Sequence, residues 1–237
     1  IPTSGRVTDW IRSVVKYRRE HPGYPPAAIR SGVSESIRAG TTLIGEIATT
    51  GWSESDYVSS QFQGQIFQEV LGLGNERVAT QIQLIESIAT RHHATSDAAS
   101  FGFGLSPHAP YSVHPELFRN SVELAIGHQM PVAMHLAETP AELELLAKGT
   151  GEFRELLTDF GIWRDGIFGG QKPLDYLKGL ARCPRVLVIH GNYLDDEELQ
   201  FLAACPNMTL VYCPRTHAAF GHRTHPWLRV LELGGRV

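Results

Sequence analysis

Pro131-Val-Ala-Met-His-Leu-Ala-Glu138 decides how this chain reads: four apolar residues lead into an imidazole at His135, and a carboxylate follows at Glu138. Val186-Leu-Val-Ile-His-Gly191 repeats the pattern and ends on His190. In a parallel α/β barrel the C-terminal ends of the strands converge on one face, so imidazoles placed there from two strands can meet a common ion or water. A strand of period two sends positions three apart to opposite faces. Glu138 therefore reaches the centre beside His135 only if the chain turns into its loop directly after the histidine. One histidine closing a buried strand is more often a satisfied structural residue than a ligand. Two such strand ends, one carrying a carboxylate, tip the reading towards a site.

Outward from this stretch, 237 residues with 42% hydrophobic content and a net charge of -4 fit one globular domain spanning residues 1–237. Basic residues are scattered, and the densest group, Lys16-Tyr-Arg-Arg19, reads as the solvated face of a helix, which excludes a nucleic-acid footprint. No apolar stretch approaches the ~20 residues that a membrane span needs. Cys183, Cys205 and Cys213 lack any CxxC spacing and point to a reducing, cytoplasmic setting. Cys213 ends a strand near the presumed mouth, where it is a reactive thiol or, as the reading favours, a small buried hydrophobe. Ile1-Pro2-Thr3-Ser4 has neither the charged start nor the apolar core of a secretory signal, and without an initiating Met the chain is expected to begin earlier in its parent.

Apolar runs alternate with helical patterns, which predicts βα units and a parallel sheet. The expected strands are Thr41 to Ile47, Gln65 to Val70, Phe101 to Leu105, Pro131 to Ala137, Arg185 to His190 and Met208 to Cys213. Helices are expected over Val7 to Glu20, Pro26 to Ala39, Asn75 to His92, Pro115 to Gly127, Pro140 to Lys148, Pro173 to Ala181, Asp195 to Ala204 and His225 to Leu233. Proline in the first turn and glycine beyond the last mark several of them. Gly149 to Gln171 is the longest irregular connection, either a lid or a packed surface loop. Six βα units fall short of a closed barrel, and Gly235-Arg-Val237 looks like the first step into another strand, so both ends are expected to be cut.

Four segments now carry a resemblance. Gly104-Leu-Ser-Pro-His-Ala-Pro-Tyr-Ser112, His135-Leu-Ala-Glu138, Val188-Ile-His-Gly191 and Tyr212-Cys-Pro-Arg-Thr216 occur in the order and approximate spacing of the amidohydrolase superfamily. The chain most resembles its cytosine deaminase, S-adenosylhomocysteine deaminase and chlorohydrolase branch, including the aminofutalosine-deaminase-like proteins. The resemblance implies a (β/α)8 TIM barrel of which strands two to seven are visible, and a divalent metal, zinc first, with iron or manganese as alternatives. It makes His135 the fifth-strand metal ligand and Glu138 the proton carrier. His190 becomes a metal ligand or the holder of the attacking water, and His108 a substrate contact. The His-x-His pair of the first strand and the Asp of the eighth, which complete the metal site in that group, have no counterpart here. The only adjacent pair, His92-His93, sits late in a helix.

Two departures touch the substrate. Tyr212-Cys-Pro-Arg-Thr-His217 stands where deaminases of the group often carry His-Asn-Pro-x-Ser-Asn, and the loop Gly45 to Trp52 lacks the acid with which nucleoside deaminases grip a ribose. Glu46 reads as an internally paired strand carboxylate. Arg215 can pair a substrate carboxylate or phosphate, or form a salt bridge within its loop. His108 can bond a substrate or cap a tight loop, while His222 and His225 read as surface residues.

The expected function is hydrolysis of C–N bonds in a small-molecule substrate, above all deamination of an aminated purine- or pyrimidine-like heterocycle by a metal-activated hydroxide. A halide-releasing or ring-opening amidohydrolase and a non-catalytic barrel are the alternatives. Assembly into a homo-oligomer stays open.

Overall fold

The computed structural model describes residues 5–21, 26–49, 63–94 and 101–237. Two helices, α1 (Val7–Glu20) and α2 (Pro26–Arg38), precede β1 (Leu43–Ala48). Then follow β2 (Gln63–Val70), α3 (Asn75–Ala94), β3 (Phe101–Pro107), a 3-10 turn (Pro110–Ser112), α4 (Pro115–Gly127) and β4 (Val132–Leu136). The remainder is α5 (Pro140–Lys148), α6 (Glu152–Asp159), α7 (Pro173–Leu180), β5 (Val186–His190), α8 (Asp196–Ala204), β6 (Met208–Val211), α9 (Pro214–Ala219) and α10 (Trp227–Glu232). The six strands pair in chain order and in parallel, forming the curled wall of an incomplete (β/α)8 barrel.

Strand alternation divides the core into two layers. Phe67, Ala133 and Ile189 point inward with Ile47, Leu187 and Val211, and plug the lumen. Val132, Met134 and Leu136 of β4, with Val186 and Val188 of β5, face outward onto helices, among Leu117, Leu146, Leu177 and Leu202. Burial on both faces explains why these strands are continuous apolar runs rather than alternating ones. At the end of the chain the Leu210 N–H donates to the Arg236 carbonyl at 2.9 Å, although the last residues form no strand.

Two helices escaped the sequence reading. Within the stretch expected to be irregular, α6 buries Phe153, Leu156 and Leu157 against Leu73, Ala109, Tyr111 and Leu145. The Phe153 ring stacks on Tyr111 with centroids 4.2 Å apart, so this part of the connection is a packed element instead of a loop over the mouth. Its apolar positions have helical spacing, but its N-cap is Gly151 at φ +86°, which offers no side-chain cap. The short α9 occupies the segment expected to be loop, with Pro214 in its first turn. Residues 1–4 and Thr50 to Trp52, to which earlier expectations referred, lie outside the described residues, as do the side chains of His92 and His93.

Close approach of β3 to the start of β4 depends on Gly104. A Cβ there would stand 2.6 Å from the Pro131 carbonyl oxygen and 2.8 Å from the Phe67 ring. Gly104→Ala is therefore expected to destabilise the protein by about 1–3 kcal/mol, through overpacking of the lumen. Urea denaturation of the purified variant checks this.

Candidate active site

The mouth begins where β4 ends. Ala137 adopts φ +52°, the left-handed region, and this turn carries Glu138 over the lumen. Thr139 caps α5 by accepting the Glu142 N–H at 3.1 Å, with Pro140 in the first turn. Glu142, one turn along, reaches back: one carboxyl oxygen accepts the Ala137 N–H at 2.8 Å and the other the Glu138 N–H at 2.9 Å. Asn192 secures the turn from the next strand by donating its side-chain N–H to the Glu138 carbonyl at 3.0 Å. Tyr193 N–H donates to the Ala137 carbonyl, also at 3.0 Å.

Three imidazoles and two carboxyls meet there. His135 donates Nδ1–H to the His108 carbonyl at 2.9 Å, which leaves its Nε2 lone pair free for a ligand. His108 donates Nδ1–H at 2.7 Å to Ser112, whose hydroxyl is committed to the Ala109 carbonyl, so Nε2 of this ring is also an acceptor. The tight loop's own contact thus orients the ring and leaves Nε2 facing the mouth. Ring centroids lie 4.8 Å apart for His108 and His135, and 5.4 Å apart for His135 and His190. His190 Nε2 stands 3.4 Å from Glu138 Oε1.

Burial sets the protonation. It pushes Glu138 up to about 7 and lowers His190 to about 3, with His135 adding to the second effect. The contact is therefore no ion pair: burial favours the neutral form of both partners, with the imidazole unprotonated and the carboxyl holding its proton up to about pH 7. His108 is lowered to about 3 and His135 is also lowered, in both cases chiefly by burial. Burial likewise lifts the half-buried Cys213 thiol, with Glu138 contributing, which favours its reading as a small hydrophobe.

The structure brings His108, His135, Glu138 and His190 together. Arg215 is exposed in the first turn of α9 and forms no ion pair among the described residues. His225 was expected at the surface and is instead buried. It accepts the Trp227 N–H on Nδ1 at 3.1 Å and so donates Nε2–H to the His190 carbonyl at 2.7 Å, which holds it inside. Glu46 falls on the outward side of β1 with Ile44 and Ala48, away from the lumen. Glu142, Asn192 and His225 were not anticipated. For Glu142 a signal existed, since Thr139-Pro-Ala-Glu142 has capping-box spacing.

Imidazoles and a carboxyl thus gather at the C-terminal mouth of a parallel, incomplete barrel, above an apolar plug. The chain belongs to the amidohydrolase family, whose profile matches residues 4–235. It is 28% identical over 221 residues to the aminodeoxyfutalosine deaminase of Nitratiruptor sp., covering 92% of this chain and 53% of that protein. Helicobacter pylori aminofutalosine deaminase superposes with a TM-score of 0.81 at 20% identity, over 98% of this chain and 56% of that one. Atrazine chlorohydrolase from Arthrobacter aurescens, complexed with zinc, gives 0.72 at 17% identity, over 99% and 54%. The chain thus spans about half the length of the relatives it matches. No helix among the described residues is long and apolar enough to cross a membrane, and the three cysteines are free thiols.

The site's titrations predict a stability profile. Glu138 and Glu142, raised from 4.5 to about 7 and about 8, contribute stability that is complete below pH 4.5 and is lost as pH rises through those values. His108 and His190, lowered from 6.5 to about 3, contribute stability that is complete above pH 6.5 and is lost as pH falls through about 3. The two sets offset one another between 4.5 and 6.5, so chelator-treated protein is expected to show a plateau there and a decline between pH 6.5 and 8. Urea midpoints across this range read it out. Glu142→Gln turns an amide N–H towards a backbone N–H and is expected to cost about 1–3 kcal/mol, measured the same way.

Proposed function

We propose that the protein is a metal-dependent hydrolase that removes an amino group, as ammonia, from a purine-like heterocycle. The observation that carries this reading is the buried Glu138–His190 contact at 3.4 Å, a proton-bearing carboxyl beside a neutral imidazole. Deamination by water needs a proton delivered to the ring nitrogen next to the attacked carbon, and then a proton for the departing amine. Glu138 supplies the first and, taking up the proton that the attacking water gives off, delivers the second, a form of general acid–base help worth roughly 10²- to 10⁴-fold. His190, whose Nε2 faces the same point, bonds the attacking water and fixes its direction. The contact with Glu138 supports this role over that of a metal ligand.

The donor set fits a divalent ion in part. His135 has the tautomer a ligand requires, with Nδ1–H bonded to a carbonyl and Nε2 free. The described residues contain no group of three or more candidate ligands, so an ion held by His135, alone or with His190, needs further donors. When bound, the ion supplies acidification of water from a pKa of about 15.7 towards 7. Zinc is our first choice, on the imidazole donors and the zinc-complexed chlorohydrolase, although iron and manganese accept the same ligands. Arg215, exposed near the end of β6, would meet an anionic substituent at the rim. Free thiols support a reducing, cytoplasmic location.

The full-length protein should release ammonia from an aminopurine or its nucleoside and stop doing so after chelation. Activity should return on adding zinc. Glu138→Gln should lower kcat by about 10²- to 10⁴-fold with the fold unchanged. Undiminished turnover in that variant would remove the carboxyl from the mechanism.

A further inference from the structure

The chain between α9 and α10 grips the loop after β5 by its carbonyl groups. Every second carbonyl of that loop accepts from a side chain of the Arg223-Thr-His225 stretch. His225 donates Nε2–H to His190 at 2.7 Å, and Arg223 reaches Asn192 at 3.1 Å and Leu194 at 3.2 Å. Side-chain donors at that spacing leave the loop little freedom to shift against the barrel wall.

The clamp is itself fixed. His225 is only 5% exposed, and the Trp227 N–H occupies its Nδ1 at 3.1 Å, which puts the ring proton on Nε2, where the His190 carbonyl takes it. Its ring lies against Tyr212, on the chain leaving β6, with centroids 4.2 Å apart and planes tilted by 34°. His217 makes an edge contact with it at 5.7 Å and donates Nε2–H to the Arg223 carbonyl at 2.7 Å, so the two donors of the clamp are linked. Both ring nitrogens of His225 are thereby spent on backbone groups, and neither is free for a substrate.

The bond to His190 differs from the other two in what it governs. His190 leaves the barrel at φ +70°, and that turn brings its ring to 3.4 Å from Glu138. Such a conformation persists only where its surroundings over-determine it. The direction of a carbonyl is set by the ψ of its own residue, so a donor that holds the His190 carbonyl holds the backbone from which the ring hangs.

We propose that His225 is a positioning residue for the hydrolysis, keeping the His190 imidazole where it directs the water. This rests on the role of His190 in the deaminase reading, but one arm of its test does not. In the full-length, metal-loaded protein, His225→Ala should lower kcat about ten- to hundredfold with KM nearly unchanged, the mark of a contact that matters only in the transition state. His225→Gln, whose amide N–H falls near the place of Nε2–H, should restore most of the loss. His225→Asn reaches no farther than Nδ1 and should behave like the alanine variant, which it replaces if that one does not fold. In a His190→Ala background, His225→Ala should have no further effect, because a residue that acts through another has nothing left to position. Multiplying losses in the double variant, or full kcat in His225→Ala and His225→Asn, would overturn the inference and spare the deaminase reading. The other arm is NMR of ¹⁵N-histidine-labelled protein, with the His190 ring signals identified by their loss in His190→Ala. They should shift or broaden in His225→Ala and return in His225→Gln; signals unmoved by either change would overturn the positioning, whatever the protein turns over. Moved signals in a protein that releases no ammonia from any aminopurine would sink the deaminase reading and leave His225 as the residue that places His190.

Discussion

The carboxyl of Glu142 takes the N–H groups of Ala137 and Glu138, one on each oxygen, and the rest of the mouth is arranged around that pair of bonds. They hold Ala137 in a left-handed conformation that alanine does not favour. Because Glu142 lies in the first turn of α5, the helix cap at Thr139 and the position of Glu138 become one mechanical unit. The neighbouring loop is tied to it at the Ala137 and Glu138 carbonyls by Tyr193 and Asn192. Arg223 then grips the Asn192 and Leu194 carbonyls from beyond α9. The loops after β4, β5 and β6 are thereby joined through their backbone groups.

Electrostatics follow from the plug beneath. Phe67, Ala133 and Ile189 close the lumen with hydrocarbon, so each titratable group above it is desolvated and drawn towards its neutral form. Carboxyls go up and imidazoles go down, which is why the Glu138–His190 contact is not a salt bridge. An uncharged heterocycle enters such a site without paying for the burial of a charge.

The sequence made the barrel legible because strands buried on both faces must be apolar throughout, and Val132 to Leu136 and Val186 to His190 are. Helices opening on Pro115, Pro140 and Pro173 announced themselves through the one position where proline suits a helix. Helix α6 did not, because its N-cap is a glycine in a glycine-rich stretch and its apolar triad is short. At the site, His135 and His190 stood out at the ends of apolar runs and Glu138 by its spacing from the first, whereas His108 was marked only by the family resemblance. Glu142, Asn192 and His225 were not legible as site residues, since each works on a backbone group whose direction is set by a turn that sequence does not declare.

The backbone conformation is what resolves the parity problem at the strand ends. On β4 the inward positions are Ala133 and His135, so an unbroken strand would send Glu138 outward. On β5 the inward positions are Leu187 and Ile189, and His190, paired in register with the outward Leu136, belongs by alternation to the helix side. Neither residue goes where alternation sends it. Ala137 at φ +52° re-aims Glu138, and His190 at φ +70° re-aims itself, each at a cost of about 1–3 kcal/mol of backbone strain. Such strain persists only where surrounding bonds over-determine the turn, and both turns are so held: Ala137 by Glu142 and Tyr193, His190 by His225 on its carbonyl and by the Gly191 N–H given to Leu136. Two left-handed residues other than glycine, on adjacent strands, thus bring a carboxyl and an imidazole to 3.4 Å over the same lumen. Relaxing either backbone would return its side chain to the helix layer and break the contact between them.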